Sequence, residues 1–135
     1  MNEATKQQEG SPTRDRFKLR HKQLASDLYA CDLDFVLVIR DPSPDVLAVL
    51  DFKTAKDKVG FSETIAYNAM IRRGIPVYIV QGDPESGKFE ILQYIGGHHR
   101  QPRQELKQVA TTEDWQQFEQ WERSLRQVYI HTFKQ

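Results

Sequence analysis

Residues 46–58 read VLAVLDFKTAKDK, in which five aliphatic residues run straight into Asp51, Phe52 and Lys53. A strand turns successive side chains to opposite faces, so Asp51 and Lys53 share one face and Phe52 takes the other. A carboxylate and an ammonium side by side at the end of a buried strand need a chemical reason. The residues just upstream supply one.

That upstream stretch is DFVLVIR (34–40), followed by the turn DPSPD (41–45). Two apolar, β-branched-rich runs separated by two prolines and two aspartates predict a β-hairpin. With a four-residue loop, Asp41 to Pro44, Arg40 faces Asp45, and counting back pairs Phe35 with Leu50 and Asp34 with Asp51. Opposed residues stand about 4.5 to 5.5 Å apart at Cβ on one face, so two carboxylates are expected to meet with Lys53 beside them. A register slip of one residue turns Asp34 away and removes this geometry. Asp32 lies two residues before Asp34 and shares its face if the strand begins that early, as a supporting or alternative ligand.

Like charges so placed destabilise a sheet unless they are compensated. A divalent cation is the usual compensation, because hard Mg²⁺ takes a few oxygen ligands and keeps several waters; Mn²⁺ is an alternative. The set suits phosphodiester hydrolysis. A metal on Asp34 and Asp51 binds a phosphate oxygen and makes a water more acidic. Lys53 orients that water or offsets the charge that grows on the phosphate oxygens.

These residues resemble the PD-(D/E)xK nuclease superfamily, whose signature is an Asp, a strand hairpin, then Asp or Glu, any residue, and Lys. Asp34, Asp51 and Lys53 match it, and the Phe52 carbonyl corresponds to a further metal ligand. The pattern is similar to the RecB-like branch in particular, where a DYKT-like strand end precedes a helix bearing Gln, three residues, then Tyr. This chain has DFKT at 51–54, then Glu63 and Tyr67 at the same i, i+4 spacing, with Glu63 in place of Gln. The likeness covers roughly residues 30–81. It implies a restriction-endonuclease-like α/β fold: a central mixed sheet flanked by helices, with the hairpin carrying the site. It also implies a Mg²⁺-dependent hydrolase, an endonuclease or other deoxyribonuclease, that cuts DNA. The N-terminal helix that commonly adds a metal-binding Glu has no counterpart, since Asp15 and Asp27 are the only acids between Arg14 and Cys31. The other reading is a nuclease-fold module that binds nucleic acid or a partner protein without cutting. A chain of this length holds about one acid-x-Lys triplet by chance. The second one here, Glu105 to Lys107, follows a polar proline-containing loop and lacks the strand context.

The remaining sequence fits around this hairpin. Ser62 is expected to cap a helix to about Arg73, with Ile65, Ala66, Ala69 and Met70 on its apolar face and Gly74 as the stop. IPVYIV (75–80) predicts a strand covered on both faces, and KFEILQYI (88–95) a further strand. GGHHRQPR reads as a loop whose His98, His99, Arg100 and Arg103 need no function. Thr111 and Asp114 have capping-box spacing for a helix over residues 112–131, whose stripe of Trp115, Phe118, Trp121 or Glu122, Leu125 and Val128 packs on the sheet. Basic residues fill every even position from Arg14 to Lys22, an alternation that suggests a strand with one basic face, or a frayed helix.

Residues 1–13 are expected to be a flexible tail and 14–135 one nuclease-like domain. Nineteen basic and nineteen acidic residues cancel, so any contact with nucleic acid must be local. Lys56, Lys58, Arg72 and Arg73 are candidates for its rim. The single cysteine, Cys31, excludes an intramolecular disulfide. The absence of a long apolar run leads to the expectation of a cytoplasmic protein without membrane contact. A homodimer or a larger nucleic-acid-processing complex is expected, since duplex cleavage needs two sites. Zinc-ligand spacing, a phosphate-binding glycine loop and a Ser-His-Asp set are all lacking.

Overall fold

The computed structural model describes residues 12–23, 31, 33–54, 57–97 and 104–133, and the chain divides into two units at residues 30 and 31. Asp32, Lys56 and the His98 to Arg103 loop lie outside the described residues, as does most of the expected tail.

Among the described residues of the first unit is one helix, α1 (Pro12–Lys22). Of the two readings of the alternating basic residues the helix is formed and the strand is not, and α1 begins two residues inside the expected tail. A helix satisfies its backbone groups within itself, whereas a strand needs a neighbour. Pro12 suits the first helical position, and Phe17 stacks on His21 one turn later, ring centroids 5.9 Å apart.

The second unit is α/β. Its described strands are β1 (Phe35–Ile39), β2 (Asp45–Phe52), β3 (Val77–Asp83), β4 (Lys88–Gly97) and β5 (Gln104–Thr112), in spatial order β1-β2-β3-β4-β5. Only β2 and β3 are parallel, joined through α2 (Phe61–Arg72), while α3 (Trp115–Phe133) closes the chain. No described helix is long and apolar enough to cross a membrane.

The hairpin pairs Phe35 with Leu50 as expected, but by a different route. Its turn is one residue longer, with Ile39 rather than Arg40 opposite Asp45. Leu37 then pairs with Ala48 and Val38 with Val46, which leaves Leu47 as an extra residue in β2. This bulge absorbs the longer turn and returns the strand ends to the register that the site requires.

Central strands β2 and β3 carry the core on both faces. On one, Val49, Val77, Ile79 and Tyr94 surround Tyr67 of α2, with Met70 and Ile71 against them. On the other, Val80, Phe89 and Ile91 meet Phe118 and Trp121 of α3. Tyr78 stands edge-on to Trp121 at 5.1 Å. The buried side of α2 is thus Thr64 and Tyr67, whereas Ile65, expected on the apolar face, is exposed.

Helix ends also differ from expectation. Gly60, not Ser62, caps α2, and the Glu63 carboxylate accepts the Gly60 N–H at 2.9 Å. Gly74, at φ 79°, ends the helix as predicted. Thr111 lies within β5, and it is Asp114 that caps α3, accepting the Gln117 N–H at 2.9 Å. Strand β5 itself, QELKQVATT, had no counterpart in the sequence reading.

Candidate functional site

Strand β2 ends where α2 begins its return, and this crossing brings the sequence-derived residues together. The Asp34 N–H donates to Asp51 Oδ1 at 2.6 Å, and the Phe52 N–H donates to Asp34 Oδ2 at 2.8 Å. The two aspartates therefore interlock across the hairpin, each taking a backbone N–H from the opposite strand. Those bonds offset part of the repulsion expected of an opposed carboxylate pair.

Asp51 is only 3% exposed and lies on the α2 face of the sheet. Its second oxygen, Oδ2, accepts the phenolic hydrogen of the fully buried Tyr67. Burial pushes the Asp51 carboxyl above its ordinary value, and the negative charges of Asp34 and Glu63 push the same way. The bonds from Asp34 and Tyr67 work against that rise. Burial and the Asp51 bond drive the Tyr67 phenol far above its ordinary value, so it remains a proton donor across the neutral range.

Lys53 points to the same face as Asp51 and is gripped by Glu63, with Nζ 2.9 Å from Oε1 and 2.7 Å from Oε2. Both side chains are largely withdrawn from water, at 12% and 22% exposed. Glu63 is held in turn by the Gly60 N–H at the start of α2, where the helix dipole favours a negative charge. Tyr67 lies 3.5 Å from Glu63 Oε2, a marginal distance; its single hydrogen goes to Asp51.

The base of α2 is braced from the sheet. The Tyr67 ring stands edge-on to Tyr94 at 5.2 Å, the Tyr94 hydroxyl donates to Asn68 Oδ1 at 2.8 Å, and Asn68 Nδ2 donates to the Gly97 carbonyl at 2.8 Å. After Lys53, the Thr54 N–H donates to Asp57 Oδ2 at 3.0 Å and turns the chain toward α2. Sequence reasoning passed over Gly60, Asp57, Asn68 and Tyr94. The spacings Gly60-x-x-Glu63 and Thr54-x-x-Asp57 are the local signals that could have found the first two.

Asp34, Asp51, Lys53, Glu63 and Tyr67 thus form one connected set, and Phe52 joins it through its N–H. Of the proposed basic rim, Lys56 lies outside the described residues, and Arg72 lies nine residues beyond Glu63, about 13 Å along the helix. Among the described residues no three His, Cys, Asp or Glu side chains group closely enough to cage an ion by themselves. The acceptor groups are nonetheless all oxygen, with Asp34 and Asp51 interlocked and Glu63 holding the Lys53 ammonium. That chemistry fits a hard divalent ion held by one or two carboxylates and water. Compared with protein-family profiles, curated proteins and solved structures, the chain matches none.

Proposed function

We propose that this chain is a metal-dependent nuclease domain of restriction-endonuclease-like architecture that hydrolyses phosphodiester bonds, with DNA as its substrate. The observation that carries this reading is the interlock of Asp34 and Asp51 at the end of β2, with Lys53 beside them and Glu63 and Tyr67 reaching in from α2.

Asp34 and Asp51 would hold Mg²⁺, and the Phe52 carbonyl is the further ligand that the family resemblance suggests. When bound, the ion would supply charge neutralisation at the phosphate and a more acidic water. The side chains of this chain do the rest. Tyr67 fixes the rotamer of Asp51 by donating to Oδ2, and the Asp34 N–H fixes Oδ1. Glu63 sets the direction of the Lys53 ammonium, which would balance the charge that the phosphate oxygens gain in the transition state.

One observation favours the non-cutting module instead: both Glu63 oxygens are committed to Lys53, so its charge is already matched. Incubation of the protein with labelled linear and circular DNA, single- and double-stranded, with Mg²⁺, Mn²⁺ or EDTA, separates the two readings. Metal-dependent cutting supports the nuclease. Retention of DNA without cutting by the folded protein supports the module.

A further inference from the structure

The face of the hairpin opposite the candidate site is incompletely covered. Helix α3 crosses the sheet from Trp115, which packs on Phe89, to the hairpin turn, where Arg126 donates to the Asp41 carbonyl at 3.2 Å and Tyr129 donates to Asp45. The start of β1 is left exposed at Phe35, beside the buried Leu50 and half-buried Phe52 of β2. A groove of about 600 Å³ opens there, floored by Phe35, Leu37, Leu50 and Phe52 and walled by α3.

Two further features distinguish this groove from an ordinary surface depression. Strand β1 is the edge of the sheet, with β2 as its single neighbour among the described strands, and on the groove face it shows Phe35 at 60% exposure. A row of unpaired backbone groups therefore lies beside uncovered apolar side chains. The opposite lip carries two acids, Glu119 and Glu122, one turn apart on α3. Glu119 has an exposed partner, Arg123, at 3.9 Å. Glu122 is half-buried and, among the described residues, has no cation within ion-pair distance. Burial and the charge of Glu119 both push its carboxyl above the ordinary value, as expected of an acid facing an apolar groove without a counter-charge.

We propose that this groove and the free edge of β1 receive an extended basic segment of a partner protein. The segment adds to β1 as a further strand and brings a lysine or arginine to Glu119 and Glu122. The edge supplies main-chain hydrogen bonds, the apolar floor takes every second side chain, and the acids select the charge. The same acids repel a phosphate backbone, which points to a polypeptide rather than nucleic acid. Phe52 faces this groove while Asp51 and Lys53 face α2, so a docked segment leaves the candidate site open. The inference does not depend on the nuclease reading.

Fluorescence anisotropy with a labelled short peptide of alternating lysine and valine tests it, alongside a glutamate-valine control. The Lys-Val peptide is expected to bind saturably, with affinity lowered about tenfold by E119Q/E122Q and by F35K, surface changes that leave the core intact. Backbone amide shifts are expected to fall on β1 and the first half of α3. Failure to bind, equal binding of the control, or undiminished binding by E119Q/E122Q overturns the proposal. So does a wild-type dimer dispersed by F35K, which makes a second copy the occupant, or displacement of the peptide from the groove by single-stranded DNA.

Discussion

Glu63 holds Lys53 with both carboxylate oxygens, at 2.9 and 2.7 Å, and so ties the exit of β2 to the first turn of α2. A bidentate pair this far withdrawn from water costs more to break than a surface ion pair, because either partner left alone is a poorly solvated charge. Glu63→Ala is expected to lower stability by about 2 kcal/mol. The double variant with Lys53→Ala should cost less than the sum of the single changes, by about 1 kcal/mol. Urea unfolding of the four proteins measures this, and strict additivity would show that the pair is not coupled.

Tyr67 has one hydroxyl and one structural use for it, the bond to Asp51. Tyr67→Phe keeps the ring on Tyr94 and leaves Asp51 Oδ2 without its buried donor. A loss of about 1 to 2 kcal/mol is expected at neutral pH. In a nuclease it should come with a larger fall in kcat than in KM, since the carboxylate loses its fixed orientation. A variant as stable and active as wild type would remove the hydroxyl from this account.

The raised carboxyl of Asp51 makes a signed prediction for the metal-free protein. Folding strengthens its hold on the proton. From the ordinary value of 3.8 upward, the unfolded chain releases that proton before the folded one does. Its contribution to stability therefore falls as pH rises through the window between 3.8 and the folded pKa, and is level above it. Asp51→Asn lacks this group. Urea midpoints of wild type relative to Asp51→Asn, in EDTA, should decline across that window; a rising difference would contradict the assignment.

Gly87 closes the β3–β4 turn at φ 82°, and a Cβ there would sit 2.4 Å from the Trp115 backbone nitrogen. Gly87→Ala must strain its own backbone and push the start of α3 away from the sheet. A loss of about 3 kcal/mol is expected, read as a lower thermal midpoint. The same substitution at Gly74, also at positive φ but with open space around it, should cost only about 1 kcal/mol.

The hairpin and βαβ crossover were legible because VLAVL and VYIV are buried on both faces and must read as apolar runs. Glu63 and Tyr67 were legible because their i, i+4 spacing matches the helix motif of the family that the hairpin resembles. Strand β5 was not, because it lies at a sheet edge with six of its nine residues exposed, and QELKQVATT has no alternation to detect. The five-residue turn and the Leu47 bulge were hidden for another reason: their offsets cancel, so a simpler loop predicted the same Phe35–Leu50 pair. Helix α1 was left between strand and helix because its alternating charges mimic a two-residue period.

In the function proposed above, Asp51 and Lys53 are catalytic partners in metal-dependent cleavage. The most direct measurement is the single-turnover cleavage rate of labelled DNA by wild type, Asp51→Asn and Lys53→Ala, each confirmed folded, with Mg²⁺ and with EDTA. The account predicts cutting by wild type only with the metal, and a loss of about a hundredfold or more in each variant. Cutting that survives either substitution, or a folded wild type that leaves every substrate whole with Mg²⁺ and Mn²⁺, would contradict it.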